Sequence, residues 1–107
     1  MFDIRFSPQA IIDLDEIKRC VADHLLNPPA AQDLIALIFE KIRILSSFPL
    51  TGAQLHSEHS FLKSYRFLII KNYLVFYRTE KNVVSIIRIL CARRDYLALL
   101  AMDKDEK

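Results

Sequence analysis

Hydrophobic and polar positions alternate in blocks along this chain, and the densest block lies between Tyr65 and Tyr96, YRFLIIKNYLVFYRTEKNVVSIIRILCARRDY. Three runs rich in aromatic and β-branched residues, 65–70, 73–79 and 83–91, predict strands. Lys71-Asn72 and Lys81-Asn82 break them, and Asn tolerates the positive φ of a two-residue hairpin turn. Turns of that length set Ile70 opposite Tyr73, Arg66 opposite Tyr77, Val75 opposite Arg88 and Phe76 opposite Ile87. One face of the meander then carries Phe67, Ile69, Leu74, Phe76, Ile87 and Ile89, and is expected to be the core face. The other carries Arg66, Tyr73, Tyr77 and Arg88 among Leu68, Val75, Ile86 and Leu90. A one-residue slip in either turn would exchange the faces.

Upstream, Phe2 to Phe6 alternates apolar and charged residues, as a half-buried strand does. Ser7-Pro8 predicts a helix start, with Ser as N-cap and Asp13, Asp15 and Glu16 near the positive end. Ile11, Leu14, Ile17, Val21 and Leu25 form its apolar stripe. Asn27-Pro28-Pro29 ends this helix and opens a second, which runs to about Ser47 with Leu34, Ile35, Ile38, Ile42 and Leu45 inward. So short a link makes the two helices an antiparallel hairpin, whose apolar seam should cover the core face of the sheet. Phe48-Pro49 stops the second helix, a loop spans 50–62, and residues 94–102 read as a short C-terminal helix before a charged tail. The fold class is α+β: N-terminal strand, two-helix hairpin, three-stranded antiparallel meander, C-terminal helix, all in one domain over residues 1–107.

Composition adds little to this, but charge placement does. The net charge is only +2, yet residues 63–94 hold eight basic residues against one acid, Glu80, a local +7. Such a stretch attracts polyanions or an acidic protein partner. Two arginines and two tyrosines on one sheet face, Arg66, Tyr77, Arg88 and Tyr73, are suited to phosphate or carboxylate, or else lay apolar stems on the sheet with their polar ends in water. Cys20 and Cys91 stand apart without metal-ligand spacing and are expected as buried free thiols in a reducing cytoplasm.

The loop holds His56, Glu58 and His59, a His-x-Glu-His cluster that is either exposed or a binding or general-base site, and that is too weak a pattern to predict a metal. With one glycine, Gly52, the chain has no Gly-rich phosphate loop, and it has neither a nucleophile elbow nor a zinc framework. No cofactor and no metal are expected. No run is long and apolar enough to span a membrane, and no signal-peptide pattern is present.

The order of elements, together with FSPQAIIDLDEI, FPLTG, YLVFYR and IIRILCARRDYLALL, resembles the RelE/ParE superfamily of bacterial toxins. The resemblance covers nearly the whole chain. It implies the cytoplasmic toxin of a type II toxin–antitoxin pair, which arrests growth unless a small antitoxin wraps it, with operator DNA reached only through the complex. The superfamily divides by mechanism. RelE-like members cut mRNA on the ribosome and need cations at the scissile phosphate with an acid and a base around it. Where that pattern opens a strand with Arg, this chain has Leu74, and its nearest strand arginine is Arg78. Where it ends in Arg-x-His-Tyr, this chain has Arg93, Arg94, Asp95 and Tyr96, so Arg93 and Tyr96 match and the His does not. ParE-like members poison DNA gyrase by binding. Their strands, shaped like VVFYR and IIRVL, are closer to this chain at Leu74, Arg78 and Arg88. The resemblance therefore implies gyrase as the leading target, with ribosome-dependent mRNA cleavage as the alternative. It implies a binding set of Arg66, Tyr77, Arg78, Arg88, Arg93 and Arg94, with Arg93 and Tyr96 catalytic only if the chain is a ribonuclease.

Overall fold

A computed structural model describes residues 1–21, 28–54 and 65–91. The elements are β1 (Asp3–Phe6), α1 (Pro8–Arg19), α2 (Pro28–Ile44), β2 (Ala53–Gln54), β3 (Arg66–Ile70), β4 (Tyr73–Glu80) and β5 (Val83–Cys91). The expected C-terminal helix, the end of the first helix at Leu25 and the Asn27 cap lie outside the described residues.

The strands form one sheet in the order β1-β5-β4-β3-β2. The meander β3-β4-β5 is antiparallel as expected, and β1 adds to β5 in parallel, Asp3 opposite Val83 through Phe6 opposite Ile86. Within the expected loop, Ala53–Gln54 pairs with β3 as a two-residue edge strand. The α+β class is as the sequence predicts.

Ser7 caps α1 as expected, its Oγ accepting from Ala10 N–H at 3.0 Å. The same hydroxyl donates to Ile87 O at 2.7 Å, and Ser7 N–H donates to Ile86 O at 2.9 Å. One residue thus ends the β1–β5 pairing and starts the helix. The far end of α2 is tied to the chain start, with Phe2 N–H on Ser46 O and Ser46 Oγ on Phe2 O, both 2.8 Å.

Leu14 and Ile17 from α1 and Val21 just beyond it meet Leu34, Ile38, Ile42 and Leu45 from α2 and its following turn, over Ile70, Val75, Tyr77, Val84, Ile86 and Ile89 of the sheet. Ile11 departs from the expected stripe and is 57% exposed.

Three sheet expectations are corrected. The register holds from Glu80–Val83 to Tyr77–Ile86, but a β-bulge at Ile87 then sets Phe76 opposite Arg88 and Val75 opposite Ile89. The helices cover the face of Val75 and Tyr77, not that of Leu74 and Phe76. Leu74, Phe76 and Leu90 are buried on the other face, so both faces are apolar. Positive φ falls on Lys71 (54°) and Lys81 (55°), the first residue of each turn, rather than on the asparagines.

Candidate functional site

Of the sequence-derived candidates, Arg66, Tyr77, Arg78 and Arg88 lie on described strands. Arg93, Arg94 and Tyr96, like His56, Glu58 and His59, lie outside the described residues. The sheet sends the four to three different places.

Arg66 and Tyr77 are cross-strand partners, as the turn length predicts. They converge on the loop that leaves α2. Phe48-Pro49-Leu50-Thr51 turns tightly, with Thr51 N–H (3.2 Å) and Thr51 Oγ1 (2.7 Å) both donating to Phe48 O. The Tyr77 hydroxyl, fully buried, donates to Pro49 O at 2.9 Å and accepts Gly52 N–H at 2.8 Å. Arg66 Nη1 donates to Gly52 O at 2.8 Å. The sheet therefore holds both backbone polar groups of Gly52. The approach explains the glycine, since a Cβ at this position would lie 2.5 Å from the Tyr77 hydroxyl oxygen and 2.7 Å from Phe67 O. Burial raises the Tyr77 pKa above 10.0, opposed by the Gly52 hydrogen bond and the Arg66 charge, so the hydroxyl stays neutral and keeps its proton for Pro49. Tyr77→Phe should cost about 1–3 kcal/mol, because it strands the buried Gly52 N–H. Denaturant melts of the purified protein check this, and Gly52→Ala should fall in the same range through overpacking.

Arg88 goes elsewhere. It is 5% exposed and forms a two-pronged ion pair with Asp13 of α1, Nε to Oδ2 at 2.8 Å and Nη2 to Oδ1 at 3.0 Å. Asp13 Oδ2 also accepts Ile89 N–H at 2.9 Å. Beyond Ile86, β5 has no β1 neighbour, and side chains of α1 take the strand's place along that edge. The expectation that Asp13 serves the helix dipole is replaced by this role, as no acid lies in the first turn of α1. Sequence spacing gives no sign of the pair, whose members stand 75 residues apart.

Arg78 lies on the face away from the helices, opposite Ser85, and is half-buried. Its Nε is buried and has no hydrogen-bond partner among the described residues. The four candidates therefore form no single cluster: two clamp a loop, one is internally paired, and Arg78 alone keeps an uncommitted buried donor. Among the described residues, no group of three His, Cys, Asp or Glu side chains is placed to hold a metal ion. Nor is any helix among them long and apolar enough to cross a membrane.

No curated protein matches the chain. Among solved structures it is similar to a chain described as "Chromosomal ParDE TA system from P. aeruginosa", at 24% identity and a TM-score of 0.71, covering 85% of this chain and 96% of the other. At that identity the likeness speaks for the fold. The model of a family described as "ParE toxin of type II toxin-antitoxin system, parDE" matches residues 4–96, from the second residue of β1 to beyond the end of β5. The chain belongs to the ParE toxin family of type II toxin–antitoxin systems.

Proposed function

We propose that this toxin arrests growth by binding DNA gyrase, without chemistry of its own, and that an acidic, amphipathic antitoxin segment neutralises it in the cytoplasm. The family match over residues 4–96 carries the reading. The sheet chemistry supports it. A ribonuclease needs uncommitted cations converging on one phosphate, whereas Arg66 is engaged by Gly52 O and Arg88 by Asp13. The +7 stretch over residues 63–94 favours an acidic antitoxin, with charge steering the encounter and apolar contacts holding it.

Ribosome-dependent mRNA cleavage is the second reading, favoured by the match of Arg93 and Tyr96 to the Arg-x-His-Tyr ending. Tyr96 separates the two. A positioned acid–base group is worth about 10²–10⁴ in rate, so a ribonuclease would lose growth arrest in Tyr96→Phe. A gyrase binder keeps the ring and stays toxic. Expression of both variants without antitoxin is expected to arrest growth equally, while arrest by wild type alone would favour the ribonuclease.

A further inference from the structure

The two cysteines are not the buried, separate thiols their spacing implies. Cys20, the C-cap of α1, is exposed, and Cys91, the last residue of β5, is half-buried. Both line one cavity of about 220 Å³, together with Asp13, Glu16, Ile17 and Tyr73. Tyr73 and Cys91 are cross-strand partners and share a face.

The path of α1 along β5 explains why both cysteines reach this cavity. Ser7 bonds Ile87, and six residues later Asp13 bonds Ile89. Each step moves about 9 Å along the helix and about 7 Å along the strand. The next step of similar length, seven residues on in the helix and two in the strand, arrives at Cys20 and Cys91. Cys20 keeps to the α1 face that carries Asp13, and Cys91 to the β5 face that carries Ile89. The Tyr73 hydroxyl is in electrostatic reach of both sulfurs. Its pKa is raised by burial first and by the two cysteines after it.

We propose that Cys20 and Cys91 are an oxidisable dithiol that a peroxide converts to an intramolecular disulfide. One thiolate attacks the peroxide oxygen, becomes a sulfenic acid and releases water. The second thiol attacks that sulfur, forming the S–S bond and releasing a second water. In sum, two thiols and one hydrogen peroxide give one disulfide and two waters. Exposure of Cys20 admits the oxidant. Closure brings the Cα atoms within about 7 Å, across the cavity that both residues line. The bond ties the end of α1 to the end of β5 across most of the chain, restricting the unfolded state and raising thermal stability in the oxidised form.

The experiment treats the purified full-length protein with hydrogen peroxide and maps tryptic peptides without reduction. The expected product is a monomer that has lost both free thiols, with the peptide beginning at Cys20 linked to the peptide Ile89–Arg93. Its melting temperature is higher than that of the reduced form, and dithiothreitol reverses both changes. Cys20→Ser and Cys91→Ser should each abolish the linked peptide and the shift in melting temperature. A disulfide-linked dimer, or two thiols oxidised separately to sulfinic acids with no linked peptide, would overturn the proposal on the wild-type protein alone.

Discussion

Asp13→Ala should destabilise the protein by about 3–5 kcal/mol, the range for removing one partner of a buried ion pair. Asp13 is 4% exposed and Arg88 5%, so neither charge has ready access to water once its partner is gone. The carboxylate also terminates the Ile89 N–H at the strand edge, so alanine takes the neutralising acid from a buried guanidinium and leaves a buried amide unsatisfied. Arg88→Ala should cost a comparable amount, because it strands the carboxylate with only that amide. The two losses should not add. In Asp13→Ala/Arg88→Ala no buried charge is left, so the double variant should be far more stable than the sum of the single effects implies. Denaturant melts of the four proteins check this. Additive losses would mean that the pair is not coupled as its 2.8 Å geometry indicates.

Phe76→Ala should lose a similar amount, about 3–5 kcal/mol, for a different reason. The ring is fully buried in the central strand, beside the β5 bulge, and stacks in tilted fashion on Phe67 with centroids 6.0 Å apart. Truncation leaves a cavity on that sheet face beside Phe67, where the hydrogen-bonded backbones hold the strands in place. This loss is one of packing, so a large apolar replacement such as Phe76→Leu should recover much of it. No neutral replacement of Asp13 should do the same, since each takes the buried carboxylate from Arg88. Equal losses for Phe76→Leu and Phe76→Ala would contradict the packing account.

How much of this was legible in the sequence follows from which interactions are local. Ser7-Pro8 announced the start of α1, and the Lys-Asn pairs fixed both hairpins and the partners Arg66–Tyr77. The assignment of faces failed because YLVFYR is apolar on both sides. When both faces of a central strand are buried, alternation shows two faces without saying which one the helices cover. The bulge was not legible either: Ile87 is an ordinary strand residue, with no glycine to mark a break. The strand edge there meets Ser7 Oγ and the Asp13 carboxylate, contacts made across 75 residues or more.

The candidate site was legible as a set of residue types and not as an arrangement. Arginine and tyrosine at Arg66, Tyr77 and Arg88 look alike whether they bind a ligand or satisfy the chain's own carbonyls and carboxylates. The structure gives them Gly52, Pro49 and Asp13 as partners. The basic character of the stretch remains a property of the exposed Lys71 and Lys81, of Arg78 with its uncommitted Nε, and of the sequence neighbours Arg93 and Arg94.

Gyrase binding is tested most directly by supercoiling of relaxed plasmid DNA by purified gyrase in the presence of this protein, with mRNA integrity in ribosome extracts scored alongside. Wild type and Tyr96→Phe should block supercoiling equally and leave mRNA intact. Unimpaired supercoiling, with cleavage at codon positions by wild type that disappears in Tyr96→Phe, would contradict the account.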